Sequence, residues 1–135
     1  MPSADDYRGA AELRGALRRF WRQSEAVMRR HGLTTQRYEL LLAAKTSRDG
    51  TGRATLGELA ERLALAASSI TELVARSEAL GLVRRELDPL RRRVVFVAVT
   101  PEGDRRLSGV VDELEGERAA LAEIVAKLAA EPRRP

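Results

Sequence analysis

Cysteine is absent from the 135 residues, and histidine occurs once, as His31. With no thiol there is no disulfide framework, thiolate metal site, cysteine nucleophile or thiol redox sensor. One imidazole is too few for a histidine-based metal site and leaves a Ser-His-Asp triad a single candidate base, so neither a metal nor a cofactor is expected. Aromatics are sparse, at 4% of the chain. Lysine is scarcer still: Lys45 and Lys127 are the only two, so 22 of the 24 Lys and Arg residues are arginine, set against 20 acids for a net charge of +4. A GC-rich genome accounts for arginine replacing lysine, but not for where the arginines sit. Long apolar runs are missing as well. The longest, Val94 to Val99, has six residues, whereas a membrane span needs about 20. The acidic start, Met1 to Asp6, lacks the basic-then-apolar layout of a signal peptide. The expectation is a cytoplasmic chain of one structural domain with no membrane partner.

What is present is mostly helical periodicity. Leu13, Leu17, Phe20, Trp21, Val27 and Met28 recur at spacings of three or four and predict a helix over 7–31, ended by Gly32. Seven arginines and two acids make that segment +5. A second helix is predicted over 35–47, capped by Thr34 or Thr35. Thr55-Leu56-Gly57-Glu58 has the form of a capping box and starts a short third helix. A fourth is predicted over 67–80, with Ile70, Leu73, Val74, Ser77 and Leu80 on its inner face. The period then changes from 3.6 to 2. Residues 82–87 and 94–99 read as two strands around a basic turn, a hairpin. Thr100-Pro101 opens a final helix over about 101–130, which Gly116 is placed to kink or split. This last helix carries −4, counting Glu131. The end helices thus have opposite charge and apolar stripes in need of cover. They are expected to meet within one chain or across two, a dimer being the simpler arrangement. Residues 131–135 read as a disordered tail.

Two helices joined by a tight turn, the second followed by a basic hairpin, form the layout of a winged helix-turn-helix. The second helix of the pair can enter the DNA major groove and the hairpin an adjacent minor groove. With Ile70, Leu73, Val74 and Leu80 inside, about 100° per residue places Ser68, Ser69, Thr71, Glu72, Ala75 and Arg76 outside. Small hydroxyls suit close approach to phosphates and base edges, although serines near a helix start also serve simply as caps. Glu72 has two readings: acceptor from a cytosine amino group, or i,i+4 partner of Arg76. In the hairpin, Arg91, Arg92 and Arg93 repel one another at the tip, and an anionic partner relieves that cost.

Leu33-Thr34-Thr35-Gln36-Arg37-Tyr38-Glu39-Leu40-Leu41, Thr55 to Leu63, Ser68 to Val74, Leu80 to Arg85, Asp88-Pro89, Arg92-Arg93 and Val99 to Gly103 occur in an order and spacing that resemble the MarR (multiple antibiotic resistance regulator) family over residues 33–105. The resemblance implies a mainly α, α+β fold: a winged helix-turn-helix with long N- and C-terminal dimerisation helices. The chain would divide into an N-terminal dimerisation helix, 1–33, a DNA-binding region, 34–100, and a C-terminal dimerisation helix with its tail, 101–135. It further implies a homodimer on a pseudo-palindromic operator in double-stranded DNA, acting as a repressor relieved by a small aromatic or anionic effector. Ser68, Ser69, Thr71, Glu72, Arg76, Arg91, Arg92 and Arg93 become the DNA-contacting set, with Arg93 on the family's wing arginine. Trp21, His31, Arg37 and Tyr38 become effector candidates, though Trp21 and Tyr38 read more readily as core aromatics and His31 as a helix-end residue. Leu13, Leu17, Leu107, Val110, Val111, Leu114 and Leu121 become dimerisation residues.

Three departures follow. Where the family usually has an Asp two residues before the wing arginine, Arg91 stands, so that Arg93 is either held differently, with Asp88 the candidate, or more mobile. The usual capping Ser or Thr before the recognition helix is Ala66. The family's final two helices are expected to be shortened or fused. The alternative reading is a protein-interaction module that kept this fold and no longer reads DNA. No phosphate loop or nucleophile motif supports an enzyme.

Overall fold

The computed structural model describes residues 1–130; the tail at 131–135 lies outside the described residues. The elements are α1 (Ala4–Arg30), α2 (Thr35–Lys45), β1 (Arg53–Thr55), α3 (Leu56–Leu63), α4 (Ala67–Ala79), β2 (Val83–Leu87), β3 (Val95–Val99), α5 (Pro101–Glu113) and α6 (Glu115–Ala130). None of the described helices is long and apolar enough to cross a membrane.

Helix starts follow local chemistry. α1 begins three residues before the predicted 7 because Ser3 and Asp6 form a reciprocal box: Ser3 Oγ accepts from the Asp6 N–H at 3.2 Å, and Asp6 accepts from the Ser3 N–H at 2.7 Å. Thr34 caps α2 through the Arg37 N–H. Thr55 caps α3 through the Glu58 N–H at 3.1 Å, but the second half of the expected box is missing. The Glu58 carboxylate turns instead to the Arg48 N–H, 3.3 Å away. α3 ends at Ala64 in a left-handed conformation, φ 53° and ψ 44°.

The hairpin gains a third strand that the sequence reading missed. β1 pairs antiparallel with β3 in the register Arg53↔Ala98, Ala54↔Val97 and Thr55↔Phe96. β2 pairs antiparallel on the other side, from Val83↔Val99 to Leu87↔Val95. β3 is therefore central in the order β1-β3-β2. The core lies where this sheet meets the helices: Leu40, Leu41, Leu59, Ile70, Val74, Leu82, Val83, Val97, Val110 and Leu114 are fully buried. Each such side chain contributes about 1.5–3 kcal/mol relative to exposure. Leu80 departs from its predicted inward position: as the C-cap of α4 it is 49% exposed.

The predicted single helix over 101–130 is two. The break falls at Leu114, φ −89° and ψ 2°, not at Gly116, which lies in the first turn of α6. Leu114 is buried and anchors the corner. α6 folds back antiparallel along α1. A Cβ on Gly9 would lie 3.9 Å from Leu128, while Ala16, Phe20 and Gln23 share a cavity with Gly116, Leu121 and Ile124. The oppositely charged end helices thus meet within one chain. At the other end of the arm Glu113 receives Arg30 at 2.6 Å and His31 at 2.8 Å. Arg30, then His31, holds the Glu113 carboxyl below its ordinary range.

Candidate nucleic-acid interface

α3, the Ala64-Leu65-Ala66 turn and α4 form the helix-turn-helix, whose two helices share the apolar core through Leu59, Ile70 and Val74, and a clamp ties α3 to α2. Arg62 donates to the carbonyls of Ala43 (2.8 Å) and Thr46 (2.9 Å) and to Thr46 Oγ1 (3.0 Å). It thereby fills orphan acceptors at the end of α2 and fixes α3 against it. Sequence reasoning missed Arg62, since its partners lie 16 and 19 residues away.

α4 buries Ile70, Leu73, Val74 and Ser77 and turns Ser68, Ser69, Thr71, Glu72 and Arg76 to the surface. Ala66 makes no side-chain cap. The first amides of α4 accordingly lack intrahelical partners and present a partial positive charge beside Ser68 and Ser69. The Thr71 hydroxyl donates back to the Ala67 carbonyl at 2.9 Å, so what it has left to offer a partner is acceptor capacity. Glu72 and Arg76 pair at 2.6 Å, which realises the i,i+4 reading of Glu72.

The wing sorts its five arginines into two groups. Arg84 is held by Glu86 at 2.7 Å, and Arg85 by Glu78, through its own N–H at 3.0 Å and its guanidinium at 2.9 Å. Both carboxyls are held below their ordinary range, Glu86 chiefly by Arg84 and Glu78 by Arg85. Arg53 adds a second contact to Glu86 at 2.9 Å and lies 4.5 Å over the Phe96 ring. Arg91, Arg92 and Arg93 are exposed, and no ion pair holds them among the described residues. Asp88 does not take the place of the missing Asp: its carboxylate accepts from the Leu90 N–H at 2.9 Å. The tip is shaped by backbone bonds instead, Asp88 N–H to Val94 O at 3.0 Å and Val94 N–H to Arg91 O at 2.8 Å.

The effector candidates are dispersed. Trp21 is 51% exposed and packs edge-on to Phe20 at 5.3 Å, so it is not a core aromatic. His31 is the C-cap of α1, about 15 Å along the helix from Trp21. Tyr38 is half-buried against the core, and burial raises its hydroxyl pKa against the opposing pull of Arg118. Arg37 is half-buried at the start of α2. A cavity of about 380 Å³ lies between α1 and α6; Arg19, Phe20, Glu117, Leu121 and Ile124 line it, and the four candidates do not. Of the expected dimerisation residues, Leu107, Val110 and Leu114 are buried in this chain's own core. Val111, Leu17 and Leu121 are half-buried, and Leu13 is 37% exposed.

This arrangement defines a winged helix-turn-helix protein. The MarR family model matches residues 31–94, from the end of α1 through the wing, and it is this family that the chain resembles there. YsmB, an HTH-type transcriptional regulator of Bacillus subtilis, is 42% identical over 60 residues, which is 44% of this chain and 41% of that protein. YusO of the same organism, a crystal structure, superposes with a TM-score of 0.71 at 25% identity, covering 97% of this chain and 100% of the other. A MarR variant of E. coli complexed with operator DNA has the same fold, with a TM-score of 0.71 at 19% identity over 87% of this chain and 85% of that one. A 35% identity to the bifunctional enzyme IspD/IspF of Anaeromyxobacter dehalogenans covers 78% of this chain but 30% of the enzyme, and assigns no activity to this fold.

Proposed function

We propose that the protein is a cytoplasmic, dimeric, sequence-specific DNA-binding transcriptional regulator, a repressor released by a small effector. The observation that carries this reading is the division of the wing arginines. Arg84 and Arg85 are consumed by carboxylates, while three at the tip have no such partner among the described residues. Unpaired guanidiniums clustered on a hairpin tip are matched by phosphate and by the negative minor groove. The open first turn of α4, with Ser68, Ser69 and Thr71, supplies the complementary major-groove surface, and Arg76 reaches a phosphate or a guanine once it leaves Glu72. The operator complex of the E. coli relative supports duplex DNA as the partner. Without a thiol, sensing would proceed by binding an effector rather than by cysteine oxidation.

Selection of genomic fragments by the purified protein at two salt concentrations tests this. A set of related pseudo-palindromic sites, weakened by salt, is expected. On such a site Arg93→Ala should lose about 1–3 kcal/mol of binding and flatten the salt dependence. Equal affinity of Arg93→Ala and wild type would remove the wing from the interface, and absence of any sequence preference would overturn the regulator reading.

A further inference from the structure

We propose that Leu90, at the tip of the wing, is an apolar wedge that enters a base step of the operator from the minor groove, so that the wing reads how easily that step unstacks. This rests on the DNA-binding reading above and gives the wing a specificity-determining residue besides its arginines.

Exposed large apolar residues fall mainly on the end helices: Tyr7, Leu13 and Trp21 on α1 and Val125 on α6. The wing carries two more, Leu87 at 64% exposed and Leu90 at 93%. Apart from Met1, no other large apolar residue among the described residues is as bare as Leu90. A lone exposed leucine is ordinary; this one is distinguished by how it is held and by what surrounds it. The Asp88 carboxylate accepts from the Leu90 N–H at 2.9 Å, and the ring of Pro89 between them fixes its φ. On the other side the Val94 N–H donates to Arg91 O at 2.8 Å, and the Asp88 N–H to Val94 O at 3.0 Å. Leu90 therefore stands between an Asx turn and a β-turn. The segment that carries it is ordered before a partner arrives, which lowers the cost of binding.

Its neighbours select the partner. Arg91, Arg92 and Arg93 follow it, exposed and without an ion pair among the described residues. A partner must satisfy these guanidiniums and an isobutyl group within a few residues of chain. The minor groove does both: phosphates line its rims, and sugar faces and base edges lie between them. Leucine is among the side chains that minor-groove proteins press between base pairs, kinking the duplex by about 20–90°. Unstacking is easiest at TA and CA/TG steps, whereas arginines alone favour the narrow groove of stiff A-tracts. The wedge thus adds a demand for a flexible step where the tip lands.

The test uses the full chain and a duplex taken from the genomic selection, with 2-aminopurine replacing single adenines beneath the wing and along the flanks. Wild type, Leu90→Ser, Leu90→Met and Arg93→Ala are titrated by anisotropy over a salt series, and 2-aminopurine emission reports unstacking. Wild type should brighten the probe at one step in each half-site. Leu90→Ser should lose that signal and bind about tenfold more weakly with an unchanged salt slope, because an apolar contact releases no counterions. Leu90→Met, which keeps a wedge, should retain both signal and affinity. Arg93→Ala, by contrast, should flatten the slope. The Leu90 variants should melt with wild type, since so bare a side chain adds nothing to the fold. Equal affinity and equal emission for Leu90→Ser and wild type overturn the wedge and leave the regulator reading standing. A loss in Leu90→Ser that comes with a flatter slope assigns the effect to displaced arginines and also overturns the wedge. Absence of any preferred site in the selection removes the regulator reading, and the wedge with it.

Discussion

Glu72 sits on the surface proposed to face DNA and spends its charge on Arg76, 2.6 Å away. In water such a pair is worth only a few tenths of a kcal/mol, so it is a restraint that a phosphate can outcompete. Glu72→Gln frees the guanidinium and removes a repulsive charge. Binding to a duplex of unrelated sequence should tighten severalfold, with a salt slope steeper by about one counterion; fluorescence anisotropy across a salt series reads both. An unchanged slope would mean that Arg76 does not meet phosphate. Ala64 presents a different single-residue case. Its φ of 53° costs an L-residue about 1–2 kcal/mol that glycine avoids. Ala64→Gly should raise the melting temperature by about 3–5 °C, against the usual expectation that glycine destabilises. No sequence signal marks this position, because alanine does not call for the left-handed region; the neighbouring turn imposes it. Trp21 was illegible for the opposite reason: its spacing fits a buried stripe, but nothing among the described residues covers that part of α1.

At the level of elements, signals carried by neighbours in sequence were readable and those carried by distant partners were not. The Thr34, Thr55 and Thr100 caps, the hairpin and the inner face of α4 up to Ser77 follow from local pattern. β1 did not, since three residues are too few to show alternation and its pairing with β3 spans more than forty residues. The break at Leu114 was missed because Gly116 is the better local breaker, whereas burial of Leu114 fixes the corner. The opening of α5 yields a prediction about pH. Hydrogen bonds from Arg105, then Arg106, lower the Glu102 carboxyl from 4.5 to about 2. A carboxyl more acidic in the folded chain contributes stability that is complete above its unfolded value and is lost as pH falls toward its folded one. Glu78, Glu86 and Glu113 are shifted in the same direction. The melting temperature should therefore fall between about pH 5 and pH 2. Glu102→Gln should melt below wild type at neutral pH and converge with it at the acid end. Parallel melting curves across that range would show that the Glu102 pairs add nothing to the fold.

For the whole molecule, the net charge of +4 is a remainder that hides the division behind the proposed function: a bare arginine tip on the wing, a basic outer strip on α1 and an acidic arm opposite it. The sequence carried these signs but left open which charges cancel internally. Burial and pairing supply that: Arg84, Arg85 and Arg30 are spoken for, while Arg91, Arg92 and Arg93 are not among the described pairs. If two copies join through their end helices, the two α4 helices should address successive major grooves on one face of the duplex, about 34–36 Å apart. This gives a geometric prediction independent of operator sequence. Inserting about five base pairs between the half-sites of a selected operator rotates them by half a helical turn, and the affinity should drop to that of one half-site. Inserting a full turn restores the face but stretches the spacing by about 34 Å, beyond a dimer held rigid by α1 packed along α6, so it should not rescue binding. Band-shift titrations of the three duplexes measure this. Rescue by the full-turn insertion would show that the two winged units are tethered loosely and that the end helices set no fixed distance between them.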